Sequence, residues 1–237
     1  MFILSLLEHN IKLIHNKIQD AVEKVNRKAE DITIIGVTKT VPVSQMKASF
    51  QHGITHMGEN RVQEFMNKYN ILPEEIHWHF IGHLQRNKVK DIIDKVELIH
   101  SVDSYRLVEQ INKEAQKASK VMDILLQINI AEEETKFGFT IEEVHNYLPL
   151  IKRLPFIRVQ GLMAIPPYVE NPEENRNYFK TMKNLFIDIK DKNIDNINME
   201  VLSMGMTNDY EVAIEEGATM IRIGSGLYGD RLYVKDK

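Results

Sequence analysis

Short apolar runs alternate with amphipathic stretches along almost the whole chain, and this alternation limits the possible folds more than any other feature. The runs are rich in β-branched residues, which is typical of buried parallel strands. They occupy residues 32–38, 54–58, 77–82, 97–101, 122–130, 158–165, 199–204 and 219–223. Helical patterns fill the intervals near residues 43–52, 60–70, 84–94, 104–119, 140–152, 172–191 and 207–216, and residues 3–30 form a further amphipathic pattern.

Eight strands in one strand-helix series predict a single (β/α)8 TIM barrel preceded by an N-terminal helix. The alternation implies a parallel sheet with right-handed crossovers, and such barrels usually have about 200–400 residues. The chain has 237 residues. An open, doubly wound sheet of eight strands is the alternative that the pattern leaves. Because no linker or low-complexity segment interrupts the series, we expect one domain over residues 1–237.

Composition and charge exclude several classes of protein. Hydrophobic residues make up 43% of the chain and charged residues 27%, as in an ordinary globular domain. The 30 Lys and Arg residues face 34 Asp and Glu residues without a basic run, so nucleic acid and anionic membranes are not expected partners. The chain has no cysteine, which excludes disulfides, thiolate metal ligands and a cysteine nucleophile. With no clear signal peptide and no long apolar run, we expect a soluble, cytoplasmic monomer.

Lys39 directly follows the first predicted strand, at the end of the barrel that carries the active site in this fold. A partly desolvated lysine has a lowered pKa and can act as the amine nucleophile that forms a Schiff base. A surface lysine that begins a loop explains the position equally well.

The last predicted strand runs into the sequence IRIGSGLYG, which matches the pattern G-x-G-x-x-G. Only eight residues follow Gly229, so we expect no dinucleotide-binding unit there. In barrels, however, the loops after strands seven and eight commonly hold phosphate. Ser203 closes strand seven, and Gly224, Ser225 and Gly226 close strand eight. These residues predict a phosphate cradle, with a glycine-rich turn that holds no ligand as the alternative.

Arg222 precedes Gly224 by two residues, so the two positions share one face of the last strand. We therefore expect Arg222 to face the barrel mouth just below the phosphate. A structural ion pair between Arg222 and a neighbouring carboxylate is the alternative.

The nine histidines permit a metal site, chiefly through His77, His79 and His83, with His52 and His56 as further candidates. Two histidines on one face of a strand can bind the same ion. A strand histidine is more often a hydrogen-bonded core residue, and no carboxylate stands at a matching strand end with the regularity of a hydrolase barrel. We therefore expect no metal.

An amine for an imine, a phosphate cradle and an arginine between them together describe a pyridoxal phosphate site. An acid beside the pyridine nitrogen would keep that nitrogen protonated and make the ring a strong electron sink. Arg222 would leave the nitrogen unprotonated and weaken the sink. We therefore expect imine exchange and at most slow proton transfer.

Seven segments resemble the pyridoxal phosphate homeostasis protein family: GVTKT, HMGENRVQE, WHFIGHLQRNK, HSVDS, QINIAEEETKFGF, VQGLMAIPP and LSMGMTNDYEVAIEEGATMIRIGSGLYG. They span about residues 34–229 in the order of the family. The resemblance implies a single-domain barrel, similar to the N-terminal domain of alanine racemase, that holds pyridoxal 5′-phosphate on a lysine. It also implies a carrier and regulator of vitamin B6 and amino-acid balance without established catalysis, with apo forms of pyridoxal-phosphate-dependent enzymes as candidate partners.

The resemblance also implies a role for each matching residue. It places Lys39 as the imine lysine, Asn60 near the ring, Ser203, Met204, Gly224 and Ser225 at the phosphate, and Arg222 at the ring nitrogen.

Three positions depart from the family pattern. Thr38 stands for the usual Ser, while Gly226 and Tyr228 stand for Ala and Phe. We expect Gly226 to loosen the phosphate loop, because glycine costs about 0.5–1 kcal/mol in ordered backbone.

Two enzymatic alternatives remain. An amino-acid racemase needs a second base on the opposite face of the cofactor, which in alanine racemase comes from an extra domain of a partner subunit. The chain ends at Lys237, so we expect no such domain here. A cofactor-free Schiff-base aldolase would use Lys39 but leave Ser203, Arg222 and the Gly224 loop unexplained.

Overall fold

Eight parallel strands close into a barrel in the order of the chain, which confirms the predicted (β/α)8 fold and shows that the open-sheet alternative is wrong. The computed structural model describes residues 2–133 and 135–229. Met1, Glu134 and residues 230–237, which the predicted domain of 1–237 includes, lie outside the described residues. The strands are β1 (Thr33–Val37), β2 (His56–Glu59), β3 (His77–Phe80), β4 (Leu98–Val102), β5 (Met122–Ile128), β6 (Ile157–Ala164), β7 (Ile197–Met206) and β8 (Met220–Ile223).

The helices alternate with the strands as predicted, and an N-terminal helix precedes them. They are α1 (Phe2–Glu23), α2 (Val43–Gln51), α3 (Val62–Tyr69), α4 (Val89–Ile92), α5 (Tyr105–Lys117), α6 (Ile141–Ile151), α7 (Arg176–Asp191), α8 (Tyr210–Glu215) and α9 (Ser225–Tyr228). Short 3-10 helices cover Ala29–Asp31, Arg86–Lys88 and Pro172–Asn175. None of the helices in the described part of the chain is long and apolar enough to cross a membrane.

The N-terminal helix ends earlier than the predicted residue 30. Asn26 adopts a left-handed φ of 53°, and the N–H of Arg27 donates to the carbonyl of Val22 at 3.0 Å. These contacts form the 6→1 bond of a Schellman motif, with an asparagine at the left-handed position that ends the helix. The apolar pattern runs to Val25, beyond the end of the helix, and no glycine or proline marks the end, which is why the prediction was too long.

The core consists of a large layer between the strands and the helices and a small cluster inside the barrel. Leu98, Leu125 and Met163 form the inner cluster. Helix α1 packs on α8 and α9, and the side-chain amide of Asn10 donates to the carbonyl of Leu227 at 3.1 Å. The N-terminal helix therefore supports the segment that follows β8.

Candidate functional site

Lys39 lies in a tight turn directly after β1. The N–H of Val41 donates to the carbonyl of Thr38 at 2.9 Å, which closes a four-residue turn with Lys39 at its second position. Thr40, at the third position, has a φ of 64°. A threonine in the left-handed region is strained, and such strain persists only where the surroundings hold it.

Side chains of α3 supply that support from the outer side of the barrel. The ammonium of Lys68 donates to the carbonyl of Thr38 at 2.7 Å and to the Glu59 carboxylate at 2.8 Å. The carboxylate of Glu64 accepts from the N–H of Thr40 at 2.5 Å. These hydrogen bonds stabilise the turn that carries Lys39.

The carboxylate of Glu59 is the centre of this buried group. It also accepts from the hydroxyl of Thr38 at 2.6 Å, and its side chain is fully buried. Burial raises the pKa of Glu59, while the hydrogen bonds from Lys68 and Thr38 oppose the rise. The sequence analysis did not predict the contacts of Lys68, because Lys68 lies 30 positions after Thr38 and no local pattern joins them.

Strand pairing brings the Lys39 turn and the glycine loop after β8 to the same rim of the barrel. Strand β1 pairs with β8 so that Gly36 lies opposite Ile223. One residue further along each strand, a Cβ added to Gly224 would lie 3.6 Å from the Cβ of Val37. The two segments predicted to carry the amine and the phosphate cradle are therefore neighbours.

Arg222 lies inside the barrel, directly below the glycine loop, and is 3% exposed. Its Nη1 donates to Oγ of Ser203 at 2.6 Å, and its Nη2 donates to the carbonyl of Ala164 at 2.8 Å. Burial lowers the pKa of Arg222 to about 10, and the negative charge of Asp209 opposes the decrease. The guanidinium stays charged at neutral pH. Within residues 2–133 and 135–229 Arg222 forms no ion pair. The alternative that Arg222 pairs with a neighbouring carboxylate therefore has no carboxylate partner among these residues.

Ser203 and Met204 occupy opposite sides of β7. The hydroxyl of Ser203 is buried between Arg222 and Nδ1 of His100, at 2.6 and 3.0 Å. The side chain of Met204 packs in the layer between the strands and the helices, so only its main chain can face the barrel mouth. That these two residues hold the phosphate stays a prediction.

Thr207 is a residue that the sequence analysis missed. Its Oγ1 accepts from the N–H groups of Gly224 and Gly226 at 3.3 and 3.2 Å. A Cβ added to Gly226 would lie 2.9 Å from Cγ2 of Thr207, so alanine at this position requires Thr207 to move. The contact with Thr207 therefore explains by packing why position 226 is glycine and not alanine. Because the two N–H groups donate to Thr207, the side-chain donors at this loop are the hydroxyls of Thr207 and of the exposed Ser225.

The other departure near this loop, Tyr228, points away from it. Its hydroxyl lies 3.1 Å from Oγ of Ser49 on α2, in the layer outside the strands. Burial raises the pKa of Tyr228 to about 12. The hydroxyl that distinguishes Tyr228 from phenylalanine thus has a partner outside the glycine loop.

Asn60 follows β2 at the same rim of the barrel. Its Oδ1 is buried and has no hydrogen-bond partner in the described part of the chain. Gly82 permits this arrangement, because a Cβ there would lie 2.3 Å from the carbonyl oxygen of Asn60. An unpaired buried acceptor costs about 1–3 kcal/mol, which is a reason to expect a ligand beside it.

The histidines do not form the metal site that the sequence permitted. No group of three or more His, Asp or Glu side chains within the described ranges could hold a metal ion. His79 is instead a hydrogen-bonded core residue, which is the alternative the sequence favoured. His83 lies at the end of β3, where Nδ1 is 2.8 Å from Oδ2 of Asp103 and the ring stacks on Phe137.

His83 and Asp103 also line a cavity of about 830 Å³ together with Arg86 and Arg106. The cavity lies over the loops that follow β3 and β4. None of the seven residues predicted to bind the cofactor lines it.

The residues at the rim fit an aldehyde that carries a phosphate group. Lys39 offers a primary amine, the Gly224 loop and Thr207 offer donors to a phosphate, and Asn60 offers an unused acceptor. Arg222 offers a buried positive charge beneath them.

Comparisons with known proteins give the same picture. The family described as "Alanine racemase, N-terminal domain" matches residues 5–232. A pyridoxal phosphate homeostasis protein from Aquifex aeolicus (strain VF5) is 44% identical over 218 residues, which is 92% of this chain and 95% of that protein. One from Haemophilus influenzae is 36% identical and covers 96% of this chain and 97% of its own length. PipY from Synechococcus elongatus PCC7942, solved with PLP bound, is 29% identical with a TM-score of 0.78 over 90% of this chain and 100% of that chain.

Proposed function

Because this chain belongs to the pyridoxal phosphate homeostasis protein family and to the alanine racemase N-terminal domain family, we propose that it binds pyridoxal 5′-phosphate and passes it on. The observation that carries the proposal is the common rim of the Lys39 turn and the Gly224 loop, with the charged Arg222 beneath it. The PLP-bound structure of PipY supports the same ligand.

In this proposal Lys39 holds the cofactor covalently. Its Nζ condenses with the aldehyde carbon, so that a carbon–nitrogen double bond forms and water leaves. When bound, the cofactor supplies that aldehyde and an electron-withdrawing pyridine ring. The Gly224 loop, with Ser225 and Thr207, donates to the phosphate, and Asn60 lies beside the ring. The predicted contacts of Ser203 and Met204 with the phosphate belong to the same proposal as main-chain contacts, because the Ser203 hydroxyl bonds to Arg222 and His100 and the Met204 side chain packs against the helices.

Arg222 determines how reactive such a site is. A guanidinium has hydrogen-bond donors and no acceptor, and with a pKa of about 10 it keeps its charge at neutral pH. Facing the ring nitrogen, it donates a hydrogen bond and leaves that nitrogen unprotonated, which limits electron withdrawal by the ring. The residues therefore favour holding and exchanging the cofactor over catalysis.

The proposed role is that of a carrier in vitamin B6 and amino-acid homeostasis. Its partners are then apo forms of pyridoxal-phosphate-dependent enzymes, which receive the cofactor. A cytoplasmic location, a monomeric state and the absence of nucleic-acid binding stay predictions.

A transfer experiment tests this function. The loaded protein is mixed with an apo-enzyme whose activity requires pyridoxal phosphate, and the recovery of activity is followed with time. We expect transfer from the wild type and from Lys47→Ala, which changes an exposed lysine on the neighbouring helix α2. Lys39→Ala should retain no covalent cofactor to transfer.

The same samples distinguish a carrier from a racemase. Each is incubated with L-alanine, and optical rotation and deuterium incorporation at Cα are measured. Multiple-turnover racemisation that Lys39→Ala abolishes would replace the carrier function with an enzymatic one. Exchange that is slow and retains the configuration supports the carrier, because a single base returns the proton to the face it left.

A further inference from the structure

A chain of hydrogen bonds runs from Arg222 through the inside of the barrel, and the proposed function does not use it. Oγ of Ser203 lies 3.0 Å from Nδ1 of His100, and Nε2 of His100 lies 2.9 Å from Nδ1 of His79. Nε2 of His79 lies 2.9 Å from Nδ1 of His56. Ser203, His79 and His100 are at most 2% exposed. With Arg222 on β8, these hydrogen bonds therefore join five strands, β2, β3, β4, β7 and β8, inside the barrel.

The hydrogen-bond chain ends at His56, at the opposite end of the barrel from the glycine loop. There the ring of His56 stacks on His77 at a centroid distance of 4.5 Å. Nδ1 of His77 lies 2.7 Å from a carboxylate oxygen of Glu97, and both of these side chains are exposed.

Arg222 determines the direction of every bond in the chain. A guanidinium can only donate, so Oγ of Ser203 accepts from Nη1. The buried hydroxyl proton of Ser203 then has one acceptor in the chain, which is Nδ1 of His100. His100 must carry its proton on Nε2 and donate it to His79, and His79 must do the same toward His56. All three imidazoles are therefore Nε2–H tautomers.

The chain holds only while the imidazoles are neutral. Burial lowers the pKa of His79 to about 3 and keeps the pKa of His100 well below its usual value. A protonated His100 would place a second donor against the hydroxyl proton of Ser203. The apolar side chains of Leu98, Leu125 and Met163 also lie inside the barrel, where charge is costly.

The same geometry prevents proton delivery to the site. Because the guanidinium has no lone pair, a proton that moved along the imidazoles could not pass beyond Ser203 to a group above Arg222. These hydrogen bonds therefore cannot carry a proton into the site. Because every member is hydrogen-bonded, they can still fix the orientation of Arg222 at their end.

We propose that His100 and His79 are positioning residues that hold Arg222, through Ser203, in the orientation that meets the cofactor ring. The inference deepens the proposed function, because it rests on Arg222 facing that ring. It assigns to each of the three histidines a single tautomer, which can be measured without any cofactor.

The first test measures the tautomers in the wild-type protein. The protein is labelled with ¹⁵N-histidine, prepared without cofactor, and studied by long-range ¹H–¹⁵N correlation at pH 7.5. We expect a pyridine-type Nδ1 and a protonated Nε2 for His56, His79 and His100. A protonated Nδ1 on His100 would reverse the chain and overturn the proposal, whether or not the protein binds pyridoxal phosphate.

The second test measures the effect on the cofactor end. His100→Leu removes the acceptor of the Ser203 hydroxyl, and we expect about three- to tenfold weaker pyridoxal phosphate binding with a shifted absorption maximum. His100→Asn keeps an acceptor near the position of Nδ1 and should restore both values toward the wild type. His52→Gln, at an exposed histidine of the α2–β2 loop, is the matched control and should change neither.

The outcomes separate the inference from the proposed function. Wild-type affinity and spectrum in His100→Leu would overturn the positioning role while leaving cofactor binding intact. If His100→Leu does not fold, the tautomers in the wild type decide the question. A protein with the expected tautomers that takes up no cofactor would contradict the proposed function instead.

Discussion

Arg222 and Ser203 form a 2.6 Å hydrogen bond inside the barrel, and both side chains are almost completely buried. The bond joins two residues that the sequence predicted as separate ligands of one cofactor. A serine hydroxyl has one proton, and His100 is placed to accept it. Ser203 could donate to a phosphate oxygen only by giving up that bond, whereas Thr207 already lies against the Gly224 loop.

The bond between Arg222 and Ser203 predicts that two substitutions reduce ligand affinity in different ways. Thr207→Val removes the hydroxyl at the glycine loop and should weaken pyridoxal phosphate binding by about tenfold or more, with little effect on pyridoxal, which lacks the phosphate. Ser203→Ala disturbs Arg222 and should weaken both ligands by a similar factor. Fluorescence titration of each variant with both ligands gives the factor by which its affinity for each ligand falls below that of the wild type.

The comparison has a clear contrary result. If Ser203→Ala loses affinity for the phosphorylated ligand alone, Ser203 is a phosphate ligand, as the motif first suggested. Thr207→Ser is the matched control, because it keeps the hydroxyl and should bind like the wild type.

The buried ion pair beneath the Lys39 turn predicts a large loss of stability. Lys68→Met leaves the Glu59 carboxylate buried without its cation, which typically costs about 3–5 kcal/mol of unfolding free energy. Lys17→Met breaks the exposed pair with Glu211 and should cost at most about 1 kcal/mol. Urea denaturation measures both values. Equal losses in the two variants would show that the turn does not depend on Lys68.

The neutral His79 predicts a dependence of stability on pH. Its pKa is about 3 in the folded protein and 6.5 in the unfolded chain, so at intermediate pH the unfolded state binds the extra proton. This contribution to stability is fully present above pH 6.5 and is lost as the pH falls toward 3. Between pH 7 and pH 5 it amounts to about 2 kcal/mol.

The measurement compares urea denaturation of the wild type and His79→Gln at these two pH values. The variant should lose about 2 kcal/mol less than the wild type over this interval. His52→Gln, which changes an exposed histidine, provides the control. An identical loss in the wild type and His79→Gln would mean that folding does not lower the pKa of His79.

The sequence predicted the barrel well, because each strand and helix has its own local apolar period. It also placed Lys39 and Gly224 at strand ends, and closure of β1 on β8 makes them neighbours. Helix α9 was not predicted, since its four residues are too few for a helical period to show.

The supporting contacts of the site could not be predicted in the same way. Thr38 meets Lys68 because β1 pairs with β2 and α3 follows β2, and His100 meets Ser203, 103 positions away, because the strands close into a barrel. The sequence placed His77 and His79 on one strand face and favoured a hydrogen-bonded core histidine over a metal site, but it could not show that His79 bonds to His56 and His100. Those partners depend on which residues of the neighbouring strands face His79.

The most direct test of the account is to identify the residue that carries the cofactor. The protein is incubated with pyridoxal phosphate, reduced with borohydride, digested and analysed by mass spectrometry. We expect the mass of the reduced cofactor on the peptide that contains Lys39, with the adduct retained in Lys47→Ala and lost in Lys39→Ala. A protein that takes up no cofactor, or an adduct on another lysine that persists in Lys39→Ala, would contradict the account.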